Sequence, residues 1–396
     1  MSQFKTIRDV DVTGRRVFVR VDFNVPLTPE GEVADDWRIE AALPTIRYLI
    51  EHRARVILGS HLGRPKGDPE KDARLRMDAV ARRLARLLEQ PVLKADDVVG
   101  PDAREKAGSL KDGEVLLLEN LRFHPGEKAG DDAFARELAG LADVYANDAF
   151  GTAHRKDASV YVVPRFFPEG RRVAGLLLDR ELTVLGQLTT QPDRPYAAVL
   201  GGAKVSDKLG VIRALALKVD KLLIGGAMAY TFRLARGYKV GSSLVELDFV
   251  DEARRLLREA GDRLVLPEDH VVAERPEAGA ATQVCEGDFP DGWSGVDIGP
   301  KTRVRFAELI KEAATAVWNG PMGKFEDEPF RAGTEAVARA LAECHGVTVV
   351  GGGETAEAVR RFGLADRLTH VSTGGGAFLK YLEGATLPAL EVLDPA

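Results

Sequence analysis

Residues 196–208, YAAVLGGAKVSDK, decide the fold: five apolar residues stop at two glycines, and a polar segment with two lysines follows. A short apolar run that ends in glycine and leads into helical spacing is a buried strand turning into a helix. The same junction recurs in KLLIGGAMAYTF (221–232), ATAVWNGPMG (314–323), VTVVGGGETAEAV (347–359) and LTHVSTGGGAFL (368–379). Related runs fill the first half, RRVFVRVDFN (15–24), ARVILGSHLGR (54–64), EVLLLENLRF (114–123) and DVYANDAFG (143–151). Between the second and third of these, LRMDAVARRLARLLEQ (75–90) puts Leu75, Val80, Leu84, Leu87 and Leu88 near one helical face. Strands alternating with helices predict an α/β protein with parallel sheets. Their carboxyl ends then share one edge, where ligands bind in such folds.

The 396 residues are enough for two domains. We place the junction in 164–180, where FFPEGRR interrupts the pattern ahead of the helical LLLDRELTVLGQL, and expect the halves to meet without a tether. With 45% hydrophobic and 29% charged residues the composition is that of an ordinary globular chain. A net charge of −6 argues against bulk attraction to nucleic acid or anionic membrane, so any anion site must be local. The two cysteines, Cys285 and Cys344, form no CxxC pair, which points away from disulfides and structural zinc. There is no signal-peptide centre and no long apolar run, and the expectation is a cytoplasmic protein.

The first-half strand ends collect Asp22 and Asn24, His61 and Arg64, Arg122, and His154 with Arg155, while Arg38 follows shortly after the first strand. A lone loop arginine is usually a solvated charge, but several at the edge of one sheet suit a small polyanion, because guanidinium grips phosphate or carboxylate with paired donors. The second-half loops instead offer backbone: GGGETAEAV (351–359) and STGGGAF (372–378) have the glycine-to-helix form that exposes N–H groups to phosphate. Taken alone, GGAM (225–228) reads as a tight connection. Lys204 and Lys208, four apart, are expected on one face of a starting helix, where two like charges suggest an anion between them.

Missing motifs narrow the chemistry. HExxH, GxSxG, the protein-kinase HRD and DFG pair, the Walker pattern and GxGxxG are all absent, which removes the parts for covalent hydrolysis, protein phosphorylation and dinucleotide oxidoreduction. His52, His124, His270, His345 and His370 lack ligand spacing and read as core or surface residues. A polyanion site and a nucleotide-phosphate site in separate halves suggest phosphoryl transfer.

RVDFNVP, SHLGRPKG, LLENLRFHPGE, DAFGTAHR, LGGAKVSDK, DIGPKT, VWNGPMG with the following FE, GGGETA and VSTGGGAF stand in one order along the chain. With them the sequence resembles the phosphoglycerate kinase family over essentially its whole length. The resemblance implies reversible phosphoryl transfer between 1,3-bisphosphoglycerate and ADP, giving 3-phosphoglycerate and MgATP, with no covalent enzyme intermediate. It implies two doubly wound, Rossmann-like parallel-sheet lobes joined by a hinge: 1–170 with 384–396 for phosphoglycerate and 171–383 for the nucleotide. The implied substrate site is Asp22, Asn24, Arg38, His61, Arg64, Arg122 and Arg155. The implied nucleotide site is Lys204, Lys208, Gly225, Gly226, Asn319, Glu326, Gly351, Gly352, Gly353, Glu354 and Thr355, with Mg2+ at Glu354 directly or through water. Arg38, Lys208, Gly374 and Gly375 are implied to serve the migrating phosphoryl group. The resemblance also implies a monomer acting on small metabolites.

Two departures stand out: Glu354 where the family has Asp, and Lys156-Asp157 where it has Ala-His. They motivate a rival reading, a catalytically silent relative that binds metabolites.

Overall fold

The computed structural model describes residues 3–396. The chain forms two compact units: one runs to Val184 and takes back Thr386–Ala396, and the other is Leu185–Ala385.

The first unit holds six strands, β1 (Arg16–Val21), β2 (Arg55–Gly59), β3 (Val92–Lys94), β4 (Val115–Leu117), β5 (Val144–Asp148) and β6 (Arg172–Ala174). They form one parallel sheet in the order β3-β4-β2-β1-β5-β6. β1 is covered on both faces. Val17, Val19 and Val21 join a core with Ile39, Ile46 and Leu49 of helix Trp37–Glu51 and with Val80 and Leu84 of helix Asp78–Leu88. Phe18, on the opposite face by the two-residue period, stacks against Tyr145. The expected stripe is therefore present, except that Leu75 lies in the turn before the helix. β6 falls inside 164–180, read from sequence as irregular. Hydrogen bonding to β5 at the sheet edge makes a strand of three residues that carry no long apolar run.

The chain end returns to the first unit. Lys5 N–H donates to the Asp394 carbonyl at 2.9 Å, and the buried Asp394 carboxylate accepts from Arg172 N at 2.9 Å, Nε at 3.0 Å and Nη2 at 2.6 Å. Helix Leu176–Thr190, which crosses the unit boundary, is capped at its start by the Asp148 carboxylate, which accepts from Leu177 N at 2.9 Å and Leu178 N at 3.2 Å.

The second unit holds β7 (Tyr196–Leu200), β8 (Lys221–Ile224), β9 (Leu264–Val265), β10 (His270–Ala273), β11 (Thr282–Cys285), β12 (Ser294–Ile298), β13 (Thr315–Asn319), β14 (Val347–Gly351) and β15 (His370–Val371). Six of them make a parallel sheet, β15-β14-β13-β7-β8-β9, built around Val199, Leu223, Trp318 and Val350. The other three form an antiparallel sheet, β11-β10-β12, which the sequence reading did not anticipate because β10 and β11 carry no glycine junction and β12 has only the single Gly299 ahead of its helix. In each large sheet the strand order reverses at one central strand, at β1 between β2 and β5 and at β7 between β8 and β13. That reversal is where a crevice opens at the carboxyl edge. No helix among the described residues is long and apolar enough to cross a membrane.

Asp394→Ala should destabilise the first unit by about 2 kcal/mol, since it frees the tail and strips a part-buried arginine of its carboxylate. Urea unfolding followed by tryptophan fluorescence and far-UV dichroism checks this.

Candidate active site

At the carboxyl edge of the first sheet the predicted residues converge unequally. Arg38 donates to the Asp22 carboxylate, and His61 Nδ1 lies 4.0 Å from the same group. Burial alone would raise the Asp22 pKa, but the charge of Arg38, with Arg20 behind it, outweighs burial and holds the carboxyl below its ordinary range. Asn24 Oδ1 accepts Gly63 N–H at 2.8 Å and Arg122 Nη1 donates to the Gly63 carbonyl at 2.8 Å, so the loops after β1, β2 and β4 are tied together. Arg155 contacts His154 at 3.4 Å and lies close enough to depress the pKa of Arg122, after the larger effect of burial. Arg64 is exposed. Asp157, the departure from the family pattern, sits 4.0 Å from Arg122 Nη2 and offsets part of the cationic field. The buried Nε of Arg122 has no hydrogen-bond partner among the described residues.

In the second unit the strand ends line up. Ile224, Leu200, Asn319 and Gly351 are register partners across β8, β7, β13 and β14, and the next residue on each strand is a glycine. The loops beyond press backbone on backbone: Gly201 N–H donates to the Asn319 carbonyl at 2.9 Å, Gly202 to Pro321 at 2.9 Å and Gly226 to Met322 at 3.1 Å. Gly226 has φ +68°, and a Cβ there would sit 2.4 Å from Gly202 N and 2.5 Å from its oxygen. No other residue fits. Gly225 and Gly226 therefore do more than turn the chain.

Lys208 Nζ donates to the Asn319 carbonyl at 3.0 Å and also to Asn319 Oδ1. Burial pulls its pKa down to about 8, against the upward pull of Glu354 and Asp207. Lys204 does not share its helical face, contrary to the sequence expectation. Residues Ser206–Lys208 form a 3-10 turn, the helix starts at Leu209, and Lys204 stays exposed. The reason is that the two-glycine turn extends past Lys204 before helical hydrogen bonding begins.

Two helix starts face the same edge. Helix Gly353–Arg361 begins after Gly352, whose φ is +104°, and helix Gly375–Leu382 begins after Gly374. They approach so closely that a Cβ on Gly375 would lie 3.3 Å from Gly352 Cα. Asn319 Nδ2 donates to the Gly351 carbonyl at 2.7 Å, and Gly320 N–H to Thr355 Oγ1 at 2.7 Å. Unpaired amides at such ends favour anions. Glu326 is exposed in the loop after β13 and makes no hydrogen bond or ion pair with this cluster.

Among the described residues no three His, Cys, Asp or Glu side chains gather to hold a metal ion. Glu354 is exposed in the first turn of its helix, makes no ion pair among the described residues, and lies within electrostatic reach of Lys208. One exposed carboxylate beside a glycine loop fits the way Mg2+ is held, by a carboxylate or two together with substrate phosphates and water.

A family model for phosphoglycerate kinase matches residues 7–385. The chain belongs to the phosphoglycerate kinase family. It is 56% identical over 393 residues to the phosphoglycerate kinase of Pelotomaculum thermopropionicum and 55% identical over 390 residues to that of Rubrobacter xylanophilus, each alignment covering 98% of both chains. Its structure is similar to those of the phosphoglycerate kinases of Coxiella burnetii (TM-score 0.85, 38% identity) and Pyrococcus horikoshii (TM-score 0.87, 34% identity), again over 98% of each chain.

Three polar residues below the arginine cluster escaped the sequence reading: Arg20, Glu127 and Ser159, all buried. Arg20 carried a usable signal, since a charge inside a strand covered on both faces needs a dedicated partner. Glu127 lies in the short helix Pro125–Ala129 and Ser159 in the helical segment Ala158–Val162, and neither carried one.

Lys208→Met should stabilise the free protein while it removes a site cation. The lysine pKa is lower in the folded state, so the unfolded chain binds the extra proton between about pH 8 and 10.5, and the lysine's cost is complete below that window. The gain should be on the order of 3 kcal/mol at pH 7 and shrink as pH rises through 9. Urea melts of both proteins at pH 7 and pH 9.5 check sign and trend.

Proposed function

We infer that the chain catalyses reversible phosphoryl transfer between 1,3-bisphosphoglycerate and ADP, giving 3-phosphoglycerate and ATP, as a phosphotransferase with a carboxyl group as acceptor. The carrying observation is the division of chemistry between the units: arginines without a nucleophile at one sheet edge, glycine loops with a buried lysine at the other. In one direction an ADP phosphate oxygen forms the new bond to phosphorus while the bond to the acyl oxygen breaks and leaves a carboxylate. In the other direction that carboxylate attacks. Both nucleophiles are already ionised at neutral pH, so no general base is required, and none is found among the motifs.

The protein's part is then to position the reactants and to balance charge on the moving group. We assign 3-phosphoglycerate to Asp22, Asn24, Arg38, His61, Arg64, Arg122 and Arg155. The nucleotide falls to Lys204, Lys208, Gly225, Gly226, Asn319, Glu326 and the loop Gly351 to Thr355. To the transferred group we assign Arg38 and Lys208, with the amides that start the helix after Gly374, as the donors that stabilise the charge developing on it. Mg2+, when it arrives with the nucleotide at Glu354, supplies further neutralisation of phosphate charge. The reading includes a cytoplasmic monomer that acts on free metabolites.

Arg38→Ala and Lys208→Ala should each lower kcat on the order of 10² fold, the usual loss for one electrostatic contact to a transition state. Near-normal turnover in both would overturn the role assignment. The first assay is ADP formation from ATP, Mg2+ and 3-phosphoglycerate with the acyl phosphate removed as it forms. Robust turnover is expected. Binding without turnover, not restored by Glu354→Asp, would favour the silent metabolite binder.

A further inference from the structure

Directly beneath the arginine cluster a chain of directed hydrogen bonds runs through the interior of the first unit. Glu127, fully buried, accepts from Ser159 twice: from the hydroxyl at 2.5 Å and from the backbone N–H at 3.0 Å. The Ser159 hydroxyl has thereby given its proton away, and it can only accept from Arg20 Nε, which lies 2.7 Å off. Tyr145 adds a brace by donating to the Ser159 carbonyl at 2.9 Å. Arg20 is itself wholly buried and spends Nη1 on the carbonyl of Val21. Its remaining terminal nitrogen, Nη2, sits 3.2 Å from His61 Nδ1.

That last contact decides a proton. Guanidinium has donors only, so a hydrogen bond from Arg20 requires a lone pair on Nδ1. The competing demand is weak, because Asp22 Oδ1 stands 4.0 Å from Nδ1, outside hydrogen-bond range. We propose that Arg20, locked by Ser159 and Glu127, is a positioning residue that holds His61 as the neutral tautomer protonated on Nε2, so that His61 offers one N–H and no charge to the anionic substrate. This rests on the assignment of His61 to the 3-phosphoglycerate site.

The charges around His61 agree with that state. Burial, then Arg20, Arg122 and Arg155, drive its pKa well below the ordinary value, and Asp22 opposes them without prevailing. The state also has a purpose. The cluster already carries several guanidinium charges, and a cationic ring among them would add repulsion in the free enzyme. The opposite tautomer would turn a lone pair instead of a proton toward the substrate. A proton fixed on Nε2 avoids both.

The test reads the tautomer directly. Long-range 1H–15N spectra of 15N-histidine-labelled full-length protein, with His61 assigned by His61→Gln, should show a neutral ring protonated on Nε2 from pH 6 to pH 8. In Arg20→Met and in the milder Ser159→Ala, His61 should become a tautomer mixture with a pKa nearer the ordinary histidine value. KM for 3-phosphoglycerate should rise about tenfold in Arg20→Met, with KM for ATP unchanged. A wild-type His61 that is protonated on Nδ1, or a tautomer that survives both substitutions, overturns the inference even if His61→Gln raises the 3-phosphoglycerate KM. Unchanged KM in His61→Gln would instead remove His61 from the substrate site and sink both readings. The wild-type spectrum needs no variant to fold, so it decides alone if Arg20→Met does not.

Discussion

Four neighbouring strands of the second unit end on one line, and past that line the chain must turn where adjacent loops leave no room for a Cβ. This steric constraint governs the site. Because Ile224, Leu200, Asn319 and Gly351 are in register, their following glycines bring backbone against backbone, and the Gly202, Gly226 and Pro321 segments hydrogen-bond across the turn. Side chains there would force the loops apart, and the helices that start behind them would lose their common aim. An edge lined with backbone amides, the kind of surface that suits anions, follows from packing.

Charge is the second constraint, and the two units meet it in different ways. The first unit keeps its arginines near one another, and carboxylates such as Asp22 and Asp157 hold part of the field in check. The second keeps one buried amine, Lys208, hydrogen-bonded to the oxygens of Asn319, while the carboxylates of Glu354 and Asp207 act on it only through space. A buried cation with no carboxylate in direct contact is destabilising, since burial outweighs the pull of those two charges. Below the first site the same rule is met by a filled network, Glu127 to Ser159 to Arg20 to His61. There each link from the Glu127 carboxylate to His61 Nδ1 is a hydrogen bond.

Much of this was legible beforehand. The glycine junctions marked the principal strands, and the arginines at strand ends marked side chains that the first sheet gathers at one edge. What stayed hidden has physical reasons. β3, β6 and β9 are two or three residues long and are strands only because a neighbour pairs with them. The antiparallel β11-β10-β12 sheet has polar, exposed positions along β11 that resemble a loop. Lys204 and Lys208 looked equivalent at a spacing of four, yet the turn ahead of Leu209 leaves one in solvent and the other in the interior.

The sequence by itself determined the α/β class, the family, and the residue types at each sheet edge, because apolar runs, glycine pairs and guanidinium groups act through local chemistry that spacing preserves. Only the tertiary structure decided which strands are neighbours, which lysine loses its water, and which ring nitrogen of His61 meets Arg20. Those outcomes depend on residues far apart in the chain, such as Arg20 with Ser159 and Lys208 with Asn319, whose meeting is set by sheet register and packing and by nothing in the local sequence.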